Sequence, residues 1–368
     1  MSPMGRVLTV CALVLAAFAV APAAQARVPE TFFGATWDRE ATGAAEADQE
    51  AQWALMAGSG VKSVRTVFDW SSAQATPGQP FDFRQSDQLV ARATRHHIRL
   101  LPLVLRTPLW AASIPGEPGS PPKRISDYTA YLRALVARYG PAGSFWGEHP
   151  ELPRRPLRHW QVWNEPHLQA FWSTKGRPPK TWAPEYARLL KASKQAIESV
   201  DPKATIVLAS LADFAWDHLD RLNRSRIARH FDVAALNLFT ARPKSLIKGV
   251  FYFRRALKRG GARRKPIWVT ETTWPAGKQR VAVPEAAWQR DWYTTDAGMA
   301  ARVRRVYTLT ARFARRLRIR RVYWYTWSSS YRDGDLFDYA GLVRYGDGLF
   351  EPRPALDAYA AIARSLTR

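Results

Sequence analysis

Two glutamates, Glu165 and Glu271, each follow directly on a short run of apolar, β-branched or aromatic residues: HWQVWNEP from His159 to Pro166, and PIWVTETTW from Pro266 to Trp274. A strand that carries a carboxylate at its C-terminal end, twice in one chain, is how an α/β barrel assembles a pair of acids on its working rim. The chemistry open to such a pair is the breaking of a glycosidic bond. One acid protonates the departing oxygen, and the second carboxylate attacks or stabilises the positively charged anomeric carbon. In the retaining version the two carboxyls stand roughly 5 to 5.5 Å apart. They must also differ in proton affinity. Glu165 is expected to be protonated at rest, raised by aromatic surroundings and its neighbour's charge, while Glu271 stays ionised. Arg65, closing an earlier strand-like run, is placed to hold Glu271 as an anion.

The elements that must position these groups are legible in the periodicity. Short β-rich runs alternate with longer amphipathic stretches, the pattern of βα units and a parallel sheet. The strand runs are Phe32 to Trp37, Ser63 to Phe68, Ile98 to Leu105, His159 to Trp163, Thr205 to Ala209, Val233 to Phe239, Ile267 to Glu271 and Arg321 to Trp327. The helical patterns that follow them are Ala44 to Ala57, Arg84 to His96, Ser126 to Tyr139, Pro184 to Val200, Asp217 to His230, Lys244 to Arg259, Thr295 to Leu317 and Ala355 to Leu366. Eight pairs predict an α/β fold, a single closed (β/α)8 TIM barrel, with Glu165 on the fourth strand and Glu271 on the seventh. The connections after strands are long and rich in proline, glycine and tryptophan, as in Arg106 to Arg124, Pro166 to Ala183, Thr272 to Thr294 and Ser328 to Pro354. Those loops are expected to build the working face, and the connections before strands are brief.

Residues 1–26 combine Arg6, an apolar run from Val7 to Val20 and the triplet Ala24-Gln25-Ala26, the pattern of a cleavable secretory signal peptide. The expected product is a secreted, extracellular chain of residues 27–368, with no transmembrane segment after cleavage. The one cysteine, Cys11, lies inside the signal, and Val10 before it is a poor context for lipid attachment, so the mature chain carries no thiol. The 55 basic against 31 acidic residues give a net charge of +24, which raises the question of a nucleic-acid or anionic-surface partner. The densest basic stretch, Arg302 to Arg321, has Val303, Val306, Thr310, Phe313 and Leu317 interleaved at helical spacing, so its arginines are the solvated face of a helix. There is no basic tail and no nucleic-acid motif, so the reading is no nucleic acid, with association with anionic cell-wall polymers left open. No metal or nucleotide motif is present, so no cofactor is expected. A monomer acting on carbohydrate is the expected working form.

The Asn164-Glu165-Pro166 triplet on the fourth strand and the glutamate ending the seventh resemble the clan A glycoside hydrolases, retaining (β/α)8 enzymes. The resemblance covers nearly all of residues 27–368, and the stretches PLVLRTPLW (Pro102 to Trp110) and VWNEPH are most similar to family 39, with family 5 close behind. It implies Glu165 as acid/base, Glu271 as nucleophile, Asn164 as the residue that hydrogen-bonds the sugar 2-hydroxyl, and Arg65, in VRTVFDW, as the strand-2 arginine. One departure stands out. Where relatives carry His-x-Tyr at the end of the sixth strand, this chain reads Asn237-Leu238-Phe239, so the tyrosine hydroxyl is missing and Glu271 is expected to rely on Arg65 and on Asn237.

Of the 16 tryptophans, Trp70, Trp110, Trp163, Trp172, Trp274 and Trp327 fall where strands meet loops. Trp274 and Trp327 are the expected sugar-stacking faces, since relatives place an aromatic near them, and His167 is the expected partner of a sugar hydroxyl. Asp213, Asp333, Asp335 and Asp338 lie in loops after strands and are assigned no catalytic role. The implied function is a secreted retaining glycosidase that cleaves O-glycosidic bonds of β-linked oligo- or polysaccharides by double displacement. A non-catalytic carbohydrate-binding barrel of the cell envelope, or a transglycosylase, remains the alternative.

Overall fold

The computed structural model describes residues 27–37, 44–117, 119–278, 280, 287–332 and 337–367. The segment read as a signal peptide, with Cys11, and the loop aspartates Asp333 and Asp335 lie outside the described residues. Eight parallel strands make one sheet: β1 (Phe33–Thr36), β2 (Ser63–Asp69), β3 (Arg99–Leu105), β4 (His159–Val162), β5 (Thr205–Val207), β6 (Ala234–Asn237), β7 (Ile267–Thr272) and β8 (Ile319–Tyr325). Their order is β5-β4-β3-β2-β1-β8-β7-β6. Bridges from Val207 to Val233 and from Leu211 to Leu236 join the two outer strands, so the sheet is an almost closed barrel. Every strand falls on one of the eight expected runs. All six residues of β7 are buried, as in a parallel strand covered on both faces, and this is why the strands read as near-continuous apolar runs.

Besides three short helical turns at Trp70–Ala73, Phe145–Glu148 and Ala287–Trp292, the longer helices are α1 (Glu46–Gly58), α2 (Arg84–Arg95), α3 (Ile125–Tyr139), α4 (Trp182–Glu198), α5 (Ala215–Asn223), α6 (Pro243–Arg259), α7 (Asp296–Leu317) and α8 (Pro354–Leu366). In α7, Val303, Val306, Thr310 and Leu317 are buried, each apolar side chain contributing about 1.5–3 kcal/mol, while Arg304, Arg305, Arg312, Arg315 and Arg316 face solvent. Thr295 caps this helix, its side chain accepting the Gly298 N–H at 3.1 Å. The expected helix Asp217 to His230 is shorter. It stops at Asn223, and Arg226 turns the chain at a left-handed φ of 53° into a separate 3-10 turn. Among the described residues no helix is long and apolar enough to cross a membrane.

The stretch after β8, expected to be a plain loop, instead carries a small second sheet of β9 (Ser328–Ser329), β10 (Val343–Gly346) and β11 (Leu349–Pro352). Its hairpin turns on Asp347-Gly348, both at positive φ (54° and 79°), the conformation of a two-residue turn for which an Asp-Gly pair is the strongest short-range signal. That signal was present in the sequence. Inside the barrel, at the end where strands begin, Leu101, Val207, Val233, Ala235, Trp268 and Tyr323 form a compact floor. Tyr323 lies over Gly34, where an added Cβ would sit 2.6 Å from the ring. The larger core fills the layer between barrel and helices.

Candidate active site

The opposite end, where strands finish, is organised by one buried arginine. β2 delivers Arg65 into the lumen from its third residue rather than from its end as expected, and its planar fork reaches four side chains at once. Nε donates to Gln161 Oε1 at 2.7 Å, Nη1 to Glu271 Oε1 at 2.5 Å, and Nη2 to Asn164 Oδ1 at 2.8 Å and Ser210 Oγ at 3.4 Å. A guanidinium is suited to this because its donors are fixed in one plane. It thereby ties β4 and β7, the two strands that end in glutamate, to β2. With Arg65 at 0% exposure and Glu271 at 8%, the ion pair is shielded from solvent screening.

Glu165 is presented by an unusual stretch of backbone. Trp163 and Glu165 both take positive φ, 72° and 38°, on either side of Asn164, which bridges to Ser210. Such conformations cost about 1–3 kcal/mol each for a residue other than glycine. They are held by hydrogen bonds from the Trp163 N–H to Val104 O (3.1 Å) and from the Glu165 N–H to Ser210 O (3.0 Å). The Glu165 carboxyl accepts from Asn237 Nδ2 at 2.7 Å. Asn237 is oriented in turn by the Thr270 hydroxyl, 2.9 Å from its Oδ1. Burial pushes the Glu165 carboxyl up to about 7; the Asn237 hydrogen bond and the Arg65 charge pull against this, and Asp213 adds to the rise. The main cause is desolvation, as expected for a general acid in an apolar site. The added charge comes from Asp213, a loop residue to which the sequence alone assigns no role.

Glu271 is aimed by an irregularity in β7. Leu236 pairs with Val269 and Asn237 pairs with Glu271, leaving Thr270 as an extra residue. A bulge of this kind re-aims the side chains beside it. It brings the Thr270 hydroxyl within 2.8 Å of Ser210 Oγ and 2.9 Å of Asn237 Oδ1. Since Asn237 is the register partner of Glu271 and also grips Glu165, the two glutamates share one rim and one hydrogen-bonded frame. Gln161, Ser210 and Thr270 are members of that frame which the sequence reading missed. Their signal was a polar residue in or at the end of a strand that otherwise reads as apolar.

Several expectations are corrected. Asn237, expected to support Glu271, donates instead to Glu165. His167 packs against other rings: it stacks on His218 at 4.0 Å and lies edge-on to Trp182 at 6.0 Å. Both His167 nitrogens are buried without a hydrogen-bond partner, and burial pushes the imidazole down to about 3, so the ring packs in its neutral form. Trp274 and Trp327 are both 0% exposed. Their indole N–H groups donate inward, to Thr240 O at 2.5 Å and Gln52 Oε1 at 3.1 Å, so neither has a face to offer a sugar. Trp70, Trp163 and Trp172 are likewise core residues, and only Trp110 of that group is half-buried. Two residues past Asn237, the half-buried Phe239 packs on the half-buried Phe337 at 5.0 Å, with Tyr325 on both at 6.2 and 5.0 Å. Among the described residues no three His, Cys, Asp or Glu side chains gather as a metal site.

Comparison with protein-family models and with curated proteins finds no match. Solved structures that share the fold include a family 39 glycoside hydrolase from the gut symbiont Bacteroides cellulosilyticus WH2, 18% identical with a TM-score of 0.67 over 94% of this chain and 65% of that one. A monomeric β-xylosidase from Caulobacter crescentus CB15 is 17% identical, with a TM-score of 0.63 over 91% of this chain and 68% of that one. A family 1 β-glucosidase from Thermotoga maritima is 10% identical, with a TM-score of 0.63 over 93% of this chain and 99% of that one. The chain thus spans just under two thirds of the family 39 structure. At these identities the likeness is one of fold: the barrel is of the kind on which those glycosidases are built.

Proposed function

We propose that this chain is a retaining glycoside hydrolase acting on β-linked oligo- or polysaccharides, with Glu165 as acid/base and Glu271 as nucleophile. The observation that carries the reading is the opposed surroundings of the two carboxyls. One is desolvated and holds its proton to about 7; the other touches a buried guanidinium, which favours the anion. In the first step Glu165 gives its proton to the departing oxygen while Glu271 attacks the anomeric carbon. In the second, the Glu165 carboxylate takes a proton from water, which displaces Glu271. Asn164, its oxygen held by Arg65, keeps its amide nitrogen for a sugar hydroxyl, and Phe239 with Phe337 supply an apolar wall for the ring.

The β configuration is supported by solved structures with this fold, among them the β-xylosidase, the β-glucosidase and an exo-β-1,4-mannosidase. Export through the 1–26 segment and action as a monomer belong to the same proposal and rest on the sequence pattern and on the single-barrel architecture. The test is Glu271→Ala assayed on aryl β-glycosides with and without azide. Turnover should be lost without azide and recovered with it, releasing a glycosyl azide, because a small anion then replaces the missing nucleophile. Wild-type turnover by the variant would overturn the assignment. Sugar binding without turnover by the wild-type protein would make the chain a carbohydrate-binding barrel.

A further inference from the structure

The pole of the barrel opposite the glutamates holds a second concentration of charge. The connections that feed strands at this end bring Lys62, Arg154, Arg155, Arg263, Arg264 and Arg318. A cleft of about 510 Å³ opens beside the first residues of β3 and β4, with Thr94, Arg99, Arg154, Arg155, Arg158 and His159 in its walls and no acidic side chain among the described residues that line it. Arg158 pairs with Asp201 at 3.2 Å, and Arg154 donates to the Pro141 carbonyl. Arg99 and Arg155 are exposed and make no ion pair or hydrogen bond among the described residues.

Next to the cleft, in the barrel floor, Arg321 is only 7% exposed. Its hydrogen-bond partners are the Ser63 hydroxyl at 3.5 Å and the Tyr323 hydroxyl at 3.3 Å, and its guanidinium lies 4.0 Å from the centroid of the Trp268 ring. No carboxylate among the described residues pairs with it. Trp268 in turn lies 5.3 Å from the His159 ring, in the cleft wall. A guanidinium withdrawn from water without a counter-ion is costly, and an aromatic face offsets only part of that cost. Burial, then the Arg321 and Arg99 charges, push His159 down to about 3, so the imidazole adds no further charge. Two guanidinium groups without a counter-ion at the cleft, Arg99 and Arg155, and a third, Arg321, buried in the floor behind its His159 wall, in a chain of net charge +24, leave the site short of an anion.

The geometry points to an oxyanion-binding surface at this pole, built on the exposed Arg99 and Arg155 with the charge of the buried Arg321 behind them, whose partner is an anionic polysaccharide carrying carboxylate or phosphate groups at intervals. Guanidinium forks match both oxyanions with paired hydrogen bonds. Among the described residues the two exposed Phe, Tyr or Trp side chains are Phe214 and Phe251, before α5 and within α6, and neither lines the cleft, so these residues offer no stacking platform there of the kind single-stranded nucleic acid uses. Binding here leaves the opposite rim open. It does not depend on the roles given to Glu165 and Glu271, and failure of either reading leaves the other standing.

Affinity electrophoresis of the full chain through gels containing polygalacturonate, or separately phosphomannan, tests the proposal. The wild-type protein should be retarded by at least one polymer, which identifies the group, and less so as salt rises from about 50 to about 200 mM. Arg99→Ala with Arg155→Ala should weaken retention roughly tenfold, whereas Arg304→Ala with Arg305→Ala, which removes the same charge from the solvent face of α7, should leave it unchanged. Glu165→Gln should bind as the wild type does. If the double variant folds poorly, Arg155→Glu in its exposed connection gives the same direction. Equal loss in the α7 control, no retardation by either polymer, or tighter binding to duplex DNA than to both would overturn the inference.

Discussion

Replacing Asn237 with leucine should move the alkaline limb of the pH–rate profile upward. In the wild-type protein Asn237 Nδ2 donates to Glu165 Oε1 at 2.7 Å, a bond that favours the ionised carboxyl and so lowers its proton affinity. The first chemical step consumes the proton on Glu165, so kcat/KM should fall as pH rises through about 7. A hydrogen bond to a charged group is worth about 1.5–3 kcal/mol, and one pK unit corresponds to about 1.4 kcal/mol. Its loss should therefore carry the limb upward by about one to two units. The substitution strands no hydroxyl, because Thr270 Oγ1 keeps the Leu236 carbonyl at 3.1 Å. The assay is kcat/KM from about pH 5 to about pH 10 on a phenyl β-glycoside, whose poor leaving group makes the acid indispensable. A limb that stays in place or moves down would refute the idea that Asn237 tunes Glu165. A limb that survives in Glu165→Gln would show that another group titrates.

Glu165→Gln should stabilise the fold in a pH-dependent way. The folded carboxyl titrates near 7 against an ordinary 4.5, so its favourable contribution is complete below about 4.5 and is lost as pH rises to about 7. At pH near 8 the variant should gain up to about 3 kcal/mol over the wild type, and near pH 4 nothing; urea melts that differ equally at both would count against a buried, proton-holding Glu165. Arg65→Met removes the buried guanidinium that holds Glu271, Gln161, Asn164 and Ser210 and should cost about 3–5 kcal/mol in the same melts, with Arg65→Met/Glu271→Gln recovering part of it; no recovery would mean that the cost lies in packing. Trp274→Phe should lose about 1–2 kcal/mol from the Thr240 hydrogen bond and the smaller ring, with KM unchanged within about twofold. A KM raised tenfold would restore Trp274 as a sugar platform.

The barrel was legible because its signal is local and repeated. Each of the eight runs from Phe32 to Trp327 is an apolar segment followed by an amphipathic helix pattern, and the observed strands fall on all eight. The placement of Glu165 and Glu271 at the ends of β4 and β7 followed from the same pattern, as did the nearness of Arg65 to Glu271, seen at 2.5 Å. Less legible was the Asp347-Gly348 hairpin, whose local signal was overlooked inside a long connection. Asp217 to His230 read as one helix because periodicity does not register a single left-handed residue such as Arg226.

What the sequence by itself determined was the order of elements and which residues stand at strand ends, since both depend on side-chain period along one strand or helix. Only the tertiary structure decided who meets whom across the lumen. The extra residue at Thr270 in β7 sets the register in which Asn237 pairs with Glu271, and that frame hands the Asn237 amide to Glu165. Whether Trp274 and Trp327 look into the lumen or into the core, and whether His167 meets a ligand or His218, depends on packing between elements far apart in the chain. A bulge or a neighbouring ring changes those outcomes without altering the local pattern at all.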